Sequence, residues 1–97
     1  MNYHFEWDPE KASSNLRKHG ISFEKATEIF LNPLQLAMQD NEHGAQGERW
    51  ITLGRTRAHK LQVVVHTFIT YQPAQITIRI ISARPATRHE RNQYEDS

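Results

Sequence analysis

The chain opens on a strict alternation: Tyr3, Phe5 and Trp7 are separated by His4 and Glu6, a period of two that predicts a short strand with an aromatic stripe on one face. Asp8-Pro9 ends it and starts a helix, because the carboxylate can accept a backbone N–H left unpaired in the first turn and proline has none to leave. That helix is expected from about Pro9 to His19, with Gly20 supplying a left-handed stop. Ala12 and Leu16 form its apolar stripe, and Lys11, Asn15 and Lys18 a polar ridge opposite. Ser22 caps a second helix in which Phe23, Ala26, Thr27 and Phe30 share one face, closed by Asn32-Pro33.

From Leu34 the period returns to two. Leu34, Leu36 and Met38 point one way and Gln35, Ala37 and Gln39 the other, as in a half-exposed strand. Asp40 to Gly47 is polar, holds two glycines and reads as a loop. Three further strands are predicted: Glu48 to Arg55 with Ile51 and Leu53 inward, Leu61 to Phe68 apolar on both faces like a central strand, and Ile76 to Ile81 with its isoleucines on one side. Connections of a few residues favour antiparallel neighbours, since a parallel crossover takes about a dozen or more residues. Thr87-Arg88-His89-Glu90 is a capping box that announces a last helix reaching about Glu95. The order β-α-α-β-β-β-β-α predicts an α+β fold: an antiparallel sheet of four to five strands, two N-terminal helices and one C-terminal helix, in a single domain over residues 1–97. No internal repeat or linker interrupts it.

Composition narrows the chemistry. The 97 residues contain no cysteine, which excludes a disulfide framework, a thiolate metal site and a cysteine nucleophile. No apolar run approaches the roughly 20 residues of a membrane span, and the opening lacks a secretory signal pattern, so a cytoplasmic protein without membrane contact is expected. The six histidines show no pairing at metal-ligand spacing, so no metal and no cofactor is expected. Net charge is only +1, but it is unevenly placed. Residues 1–48 hold four Lys/Arg against eight acids, a balance of −4, whereas residues 49–91 hold eight against the lone Glu90, a balance of +7. Seven of those eight cations are arginine, the side chain suited to two-pronged phosphate contacts. The pattern fits a polyanionic partner or a merely solvated sheet face.

Arg79 falls on the face of its strand opposite the isoleucines, and Arg84 follows two residues beyond Ser82, so the two arginines can converge near one sheet end. Arg88, Arg91 and Tyr94 lie roughly on one side of the last helix. Such a cluster could hold a phosphate and stabilise charge developing on it. Against this, Arg91 could pair with Glu95, His66 could be a core histidine, and Trp7 could belong to the core rather than stack on a base. Residues alone leave nuclease, passive nucleic-acid binder and protein-interaction module open.

Phe5-Glu6-Trp7-Asp8-Pro9-Glu10-Lys11-Ala12, then Asn15, then Lys18-His19-Gly20-Ile21-Ser22-Phe23-Glu24-Lys25-Ala26 resemble the opening of the BrnT toxin family. Glu48-Arg49, Gly54, Val64-Val65-His66-Thr67, Arg79-Ile80-Ile81-Ser82-Ala83-Arg84-Pro85-Ala86-Thr87, Glu90-Arg91 and Tyr94-Glu95 resemble its second half. One departure is Phe68-Ile69 after the His-Thr pair, where the family pattern carries an arginine. The resemblance implies a RelE-like fold and the toxin of a type II toxin-antitoxin system, a ribonuclease that arrests translation. It also implies a BrnA-type ribbon-helix-helix antitoxin that masks the toxin and alone contacts operator DNA. The family's functional positions fall on Trp7, Lys18, Arg49, Arg79, Ser82, Arg84 and Arg91.

The mechanism so implied is metal-independent attack of a 2′-hydroxyl on the adjacent phosphorus of an RNA substrate, with arginines stabilising the phosphorane-like charge. Catalytic candidates are Arg79, Arg84, Ser82, Lys18, His19 and Glu48; RNA-binding candidates are Trp7, Arg49, Arg55, Arg88, Arg91 and Tyr94. The base remains open among His19, Glu48, His66 and Lys18, because arginine, with a pKa above about 12, accepts protons poorly.

Overall fold

The computed structural model describes residues 2–40, 49–72 and 75–96. Strand β1 (Asn2–Trp7) leads into helix α1 (Pro9–His19) and the single turn of helix α2 (Phe23–Ala26), which tightens into a 3₁₀ turn (Thr27–Leu31). Strands β2 (Leu36–Asp40), β3 (Arg49–Arg55), β4 (Leu61–Gln72) and β5 (Gln75–Pro85) follow, then helix α3 (Arg88–Glu95). The helix boundaries are set by the expected caps. Asp8 accepts the Glu10 N–H at 2.9 Å, Gly20 takes φ 70°, and Thr87 and Glu90 complete a reciprocal box at the start of α3.

The sheet order is β1-β5-β4-β3-β2. Strands β2 to β5 form an antiparallel meander, and β1 adds a parallel edge against β5, so the five-stranded sheet is mixed. The parallel pairing is possible because the whole chain between β1 and β5 serves as its crossover.

Three local expectations change. The second helix does not continue as α-helix to Asn32: the Thr27 hydroxyl donates to the Glu24 carbonyl at 2.7 Å and the chain winds to a tighter period. Residues three apart then share a face, so Phe23, Ala26 and Ile29 are fully buried beside Phe30, and Thr27 is not. The tighter turn also seats Ile29 on Gly54, where an added Cβ would come within 2.9 Å of the Ile29 Cβ. Leu34 lies in a turn and is 72% exposed, so the stripe of β2 begins at Leu36.

The third correction concerns Asn15, placed by periodicity on a polar ridge. It is buried, while Leu16 of the expected apolar stripe is half-exposed. The Asn15 amide nitrogen donates to the carbonyls of Ile21 (3.0 Å) and Ala83 (2.8 Å), and its oxygen accepts the Ala83 N–H at 3.0 Å. The cause lies in the sheet. β1 ends at Trp7, opposite Ile80, so the outer edge of β5 at Ala83 has no strand to pair with. Asn15 supplies the donor and acceptor that a further strand residue would have offered. Phe23, Ala26, Ile29 and Phe30 then close the core against Val64, Ile78, Ile80 and Ala83.

Asn15→Leu keeps the volume and leaves three buried or half-buried backbone groups unpaired. At about 1–3 kcal/mol per unsatisfied group, a loss on the order of 3 kcal/mol is expected, read as a lower urea midpoint with unchanged slope. A midpoint within error of the parent would show that this clamp does not hold α1 to β5.

Candidate functional site

Alternation along paired strands assigns each residue to a face. His66 touches Phe30 with ring centroids 4.9 Å apart, so it points to the helices, and its register partners Trp50 and Ile80 share that side. Thr67, one residue on, points to the opposite face, together with its register partners Arg49 on β3 and Arg79 on β5. Asp40 pairs with Arg49 and Glu6 with Arg79, so one row runs Asp40, Arg49, Thr67, Arg79, Glu6 across all five strands. At two strand spacings the arginine Cα atoms stand roughly 10 Å apart, with the threonine between them. The Thr67 hydroxyl is buried and has no hydrogen-bond partner among the described residues. Arg79 donates to Glu6 at 2.6 Å.

A bulge decides what else joins this face. His66 pairs with Ile80 but Val65 pairs with Ser82, so Ile81 is an extra residue on β5. Strict alternation from Arg79 would turn Ser82 and Arg84 toward the helices. The extra residue returns both to the face of Arg79. The row beside the arginines is thus Met38, Ile51, Val65 and Ser82, an apolar floor ending in a hydroxyl.

Helix α3 is tied over the far end of the same face. Arg84 donates through both terminal nitrogens to the two Glu90 oxygens, each at 2.7 Å, and Glu90 also accepts the Thr87 N–H at 2.8 Å. The bidentate arginine, with help from the cap, holds the Glu90 carboxyl down to about 2 and raises Arg84. Arg55 lies 5.3 Å over the Tyr94 ring and 3.5 Å from Glu95, and the Asn32 amide donates to the Tyr94 hydroxyl at 3.0 Å. Leu53 and Val63 at this end are each 1% exposed. Arg84, Arg55 and Tyr94 therefore serve as fasteners of α3 in this structure.

The structure separates the other expected residues. Trp7 faces the helices, edge-on to Phe23 at 5.9 Å, and belongs to the core. His66 is completely buried, bonded through Nε2 to Thr52 at 2.6 Å, and burial pushes its pKa down to about 4; it is a neutral core histidine. Lys18 and His19 are exposed at the end of α1, and His19 lines a cleft with Arg91 on the helix side. Arg88 is exposed at the start of α3. Glu48, and the loop expected after Asp40, lie outside the described residues. Site reasoning from sequence missed Thr67 and Glu6. Glu6 carried a signal, since it alternates with the aromatic stripe of β1, whereas Thr67 becomes significant only through register.

A sequence profile described as "Ribonuclease toxin, BrnT, of type II toxin-antitoxin system" matches residues 7–90. Among solved structures, the 1.1 Å crystal structure of the Brucella abortus ribonuclease toxin BrnT is similar, with a TM-score of 0.62 and 21% identity over 91% of this chain and 100% of that one. That likeness speaks to the fold. No curated protein sequence matches the chain.

The Arg84–Glu90 pair makes stability acid-sensitive. Glu90 has a lower pKa folded than unfolded, so its contribution is complete above about 4.5 and is lost as pH falls toward about 2. Urea titrations between pH 5 and 2 are expected to show a steeper acid limb for the parent than for Glu90→Gln; superimposable limbs would contradict the pairing.

Proposed function

The chain belongs to the BrnT family of ribonuclease toxins of type II toxin-antitoxin systems, and we propose that residues 1–97 act as one domain that cleaves RNA on the open face of the sheet. The observation that carries this is the in-register row of Arg49, Thr67 and Arg79, two cations flanking a buried hydroxyl that lacks a partner among the described residues. An unpaired buried hydroxyl costs about 1–3 kcal/mol, a cost that a bound phosphate oxygen removes. Phosphate also suits the two guanidinium groups, whose planar donor forks match its oxygens. The apolar floor of Ile51 and Val65 beside them suits the face of a base.

In this reading the scissile phosphate lies between Arg49 and Arg79 and displaces Glu6 from its ion pair. The 2′-hydroxyl attacks phosphorus, its proton passes to the Glu6 carboxylate, the bond to the 5′-oxygen breaks, and that oxygen takes a proton from water. A 2′,3′-cyclic phosphate and a 5′-hydroxyl result. Arg49 and Arg79 stabilise the charge that grows on the phosphoryl oxygens, and Thr67 and Ser82 donate hydrogen bonds. Arg84 acts by holding α3 and the end of β5. The mechanism as written calls on no metal.

A toxin of a type II system has an antitoxin partner. We propose a BrnA-type ribbon-helix-helix protein whose acidic segment covers the same face, drawn by the basic second half of the chain. Operator DNA is then met only through the antitoxin.

Cleavage of single-stranded RNA is expected to persist in excess chelator and to fall about 100-fold or more in Arg79→Ala, the scale of losing one donor to developing charge. Glu6→Gln should lower kcat with little change in KM, and Thr67→Val should weaken both. The slope of log K against log salt should flatten by about 0.7 per lost phosphate contact in Arg49→Ala. RNA that is bound with the expected slope but never cut would make the protein a passive binder; activity abolished by chelator and restored by one divalent ion would replace the mechanism.

Antitoxin and RNA should compete. RNA held by the complex as tightly as by the free toxin, with hydrogen-exchange protection confined to residues 2–40, would rule out inhibition by occlusion.

A further inference from the structure

On the helix side, at the far end of β4 from the arginine row, lies a cleft of about 710 Å³ between the end of α1, the β3–β4 turn and the end of β5. Its volume is that of small-molecule sites. Three features give it a chemistry. Gln62 lines it, is only 6% exposed, and its Oε1 accepts no hydrogen bond among the described residues, so a buried acceptor awaits a donor. Leu16 and Pro85 line it as apolar walls, and Leu16 remains 51% exposed although periodicity assigns it to the core stripe. Cations surround it: Lys60 and Arg91 are exposed on its lining, with His19 beside them. Lys25 and the one lining carboxylate, Glu28, stand 3.6 Å apart, and Glu28 also accepts the Arg57 N–H at 3.1 Å, so the acid is already engaged.

We infer that this cleft binds one nucleoside monophosphate unit, its base against Leu16 and Pro85 with a ring or amine N–H donated to Gln62 Oε1, and its phosphate between Lys60 and Arg91. A flat apolar body, a donor edge and an anionic end are required together, and a nucleotide carries all three. The unit is either a free nucleotide or one residue of a single strand. The site is separate from the arginine row, and its occupancy does not depend on whether that row cleaves RNA.

The test uses the full chain carrying Arg79→Ala, so that RNA is not turned over, and follows backbone amide resonances during titration. Adenosine 5′-monophosphate is expected to shift resonances of Ile21, Gln62 and Arg91 with a dissociation constant in the range of micromolar to low millimolar. Adenosine and ribose 5-phosphate should each bind about tenfold or more weakly. Adding Gln62→Leu should reduce the nucleotide to the affinity of ribose 5-phosphate, and adding Lys60→Ala, at an exposed position that leaves folding intact, to that of adenosine. A short single-stranded oligonucleotide separates the sources. If the unit belongs to RNA, the oligonucleotide shifts the same resonances and adenosine 5′-monophosphate displaces it there; if it is a free nucleotide, the oligonucleotide leaves them in place. Absence of cleft shifts at millimolar nucleotide, or equal affinity in Lys60→Ala, overturns the assignment, and neither result bears on cleavage at the arginine row.

Discussion

The architecture hangs on how one asparagine completes the edge of a strand. β5 is longer than β1, and at Ala83 its outer N–H and carbonyl face no neighbour strand. Asn15 meets both and reaches the Ile21 carbonyl as well, so a single side chain joins α1, the link to α2 and the edge of β5. An amide is the side chain that can donate and accept at once in this geometry; a carboxylate or an alkyl group would leave at least one backbone group unpaired. With α1 fixed there, Phe23, Ala26 and Ile29 settle on Ile78, Ile80 and Ala83, and α1 and α2 cover one face of the sheet. The other face is left to chemistry and to α3.

On that face the arginines divide by what neutralises them. Arg84 and Arg55 meet residues of α3, and Glu90 is itself anchored by the helix cap, so these cations are spent on structure. Arg79 is held differently, by a carboxylate on the neighbouring strand in a pair that is 42% and 31% exposed. An exposed pair of this kind contributes little to stability and is displaced at little cost by a stronger anion. A phosphate can therefore compete for Arg79 more readily than for Arg84, which is similarly exposed but is held by two hydrogen bonds to a carboxylate that the helix cap anchors.

The two sides of the sheet also differ in how they treat polar groups. Toward the helices, His66 is kept neutral by burial and bonded to Thr52 inside an aromatic cluster with Phe30 and Phe68. This is a packing role, and it takes the most obvious proton acceptor of the basic half out of contact with the arginine row. On the open side, Thr67 is buried yet unsatisfied. His66 Nδ1 also has no partner among the described residues, but it lies inside the aromatic cluster, whereas the Thr67 hydroxyl stands between two arginines on the open face.

Much of the chain was legible because its signals are local. Caps at Asp8, Gly20, Ser22 and Thr87 bound the helices, and the alternation of β1, β3 and β5 with the doubly apolar run of β4 named the strands, since a cap, a period of two or an apolar run depends only on residues a few positions apart. The charge division and the family resemblance pointed to an anion-binding half with arginines as its working groups. Tertiary structure alone decided three things. It buried Asn15, because the need for its amide arises from a strand end 68 residues away in sequence. It inserted Ile81 as a bulge, which places Ser82 and Arg84 on the face of Arg79 against simple alternation. It set Arg49, Thr67 and Arg79 in one row, because register between strands is a relation among distant segments that no single segment encodes, and fixing it takes the packing of a whole face.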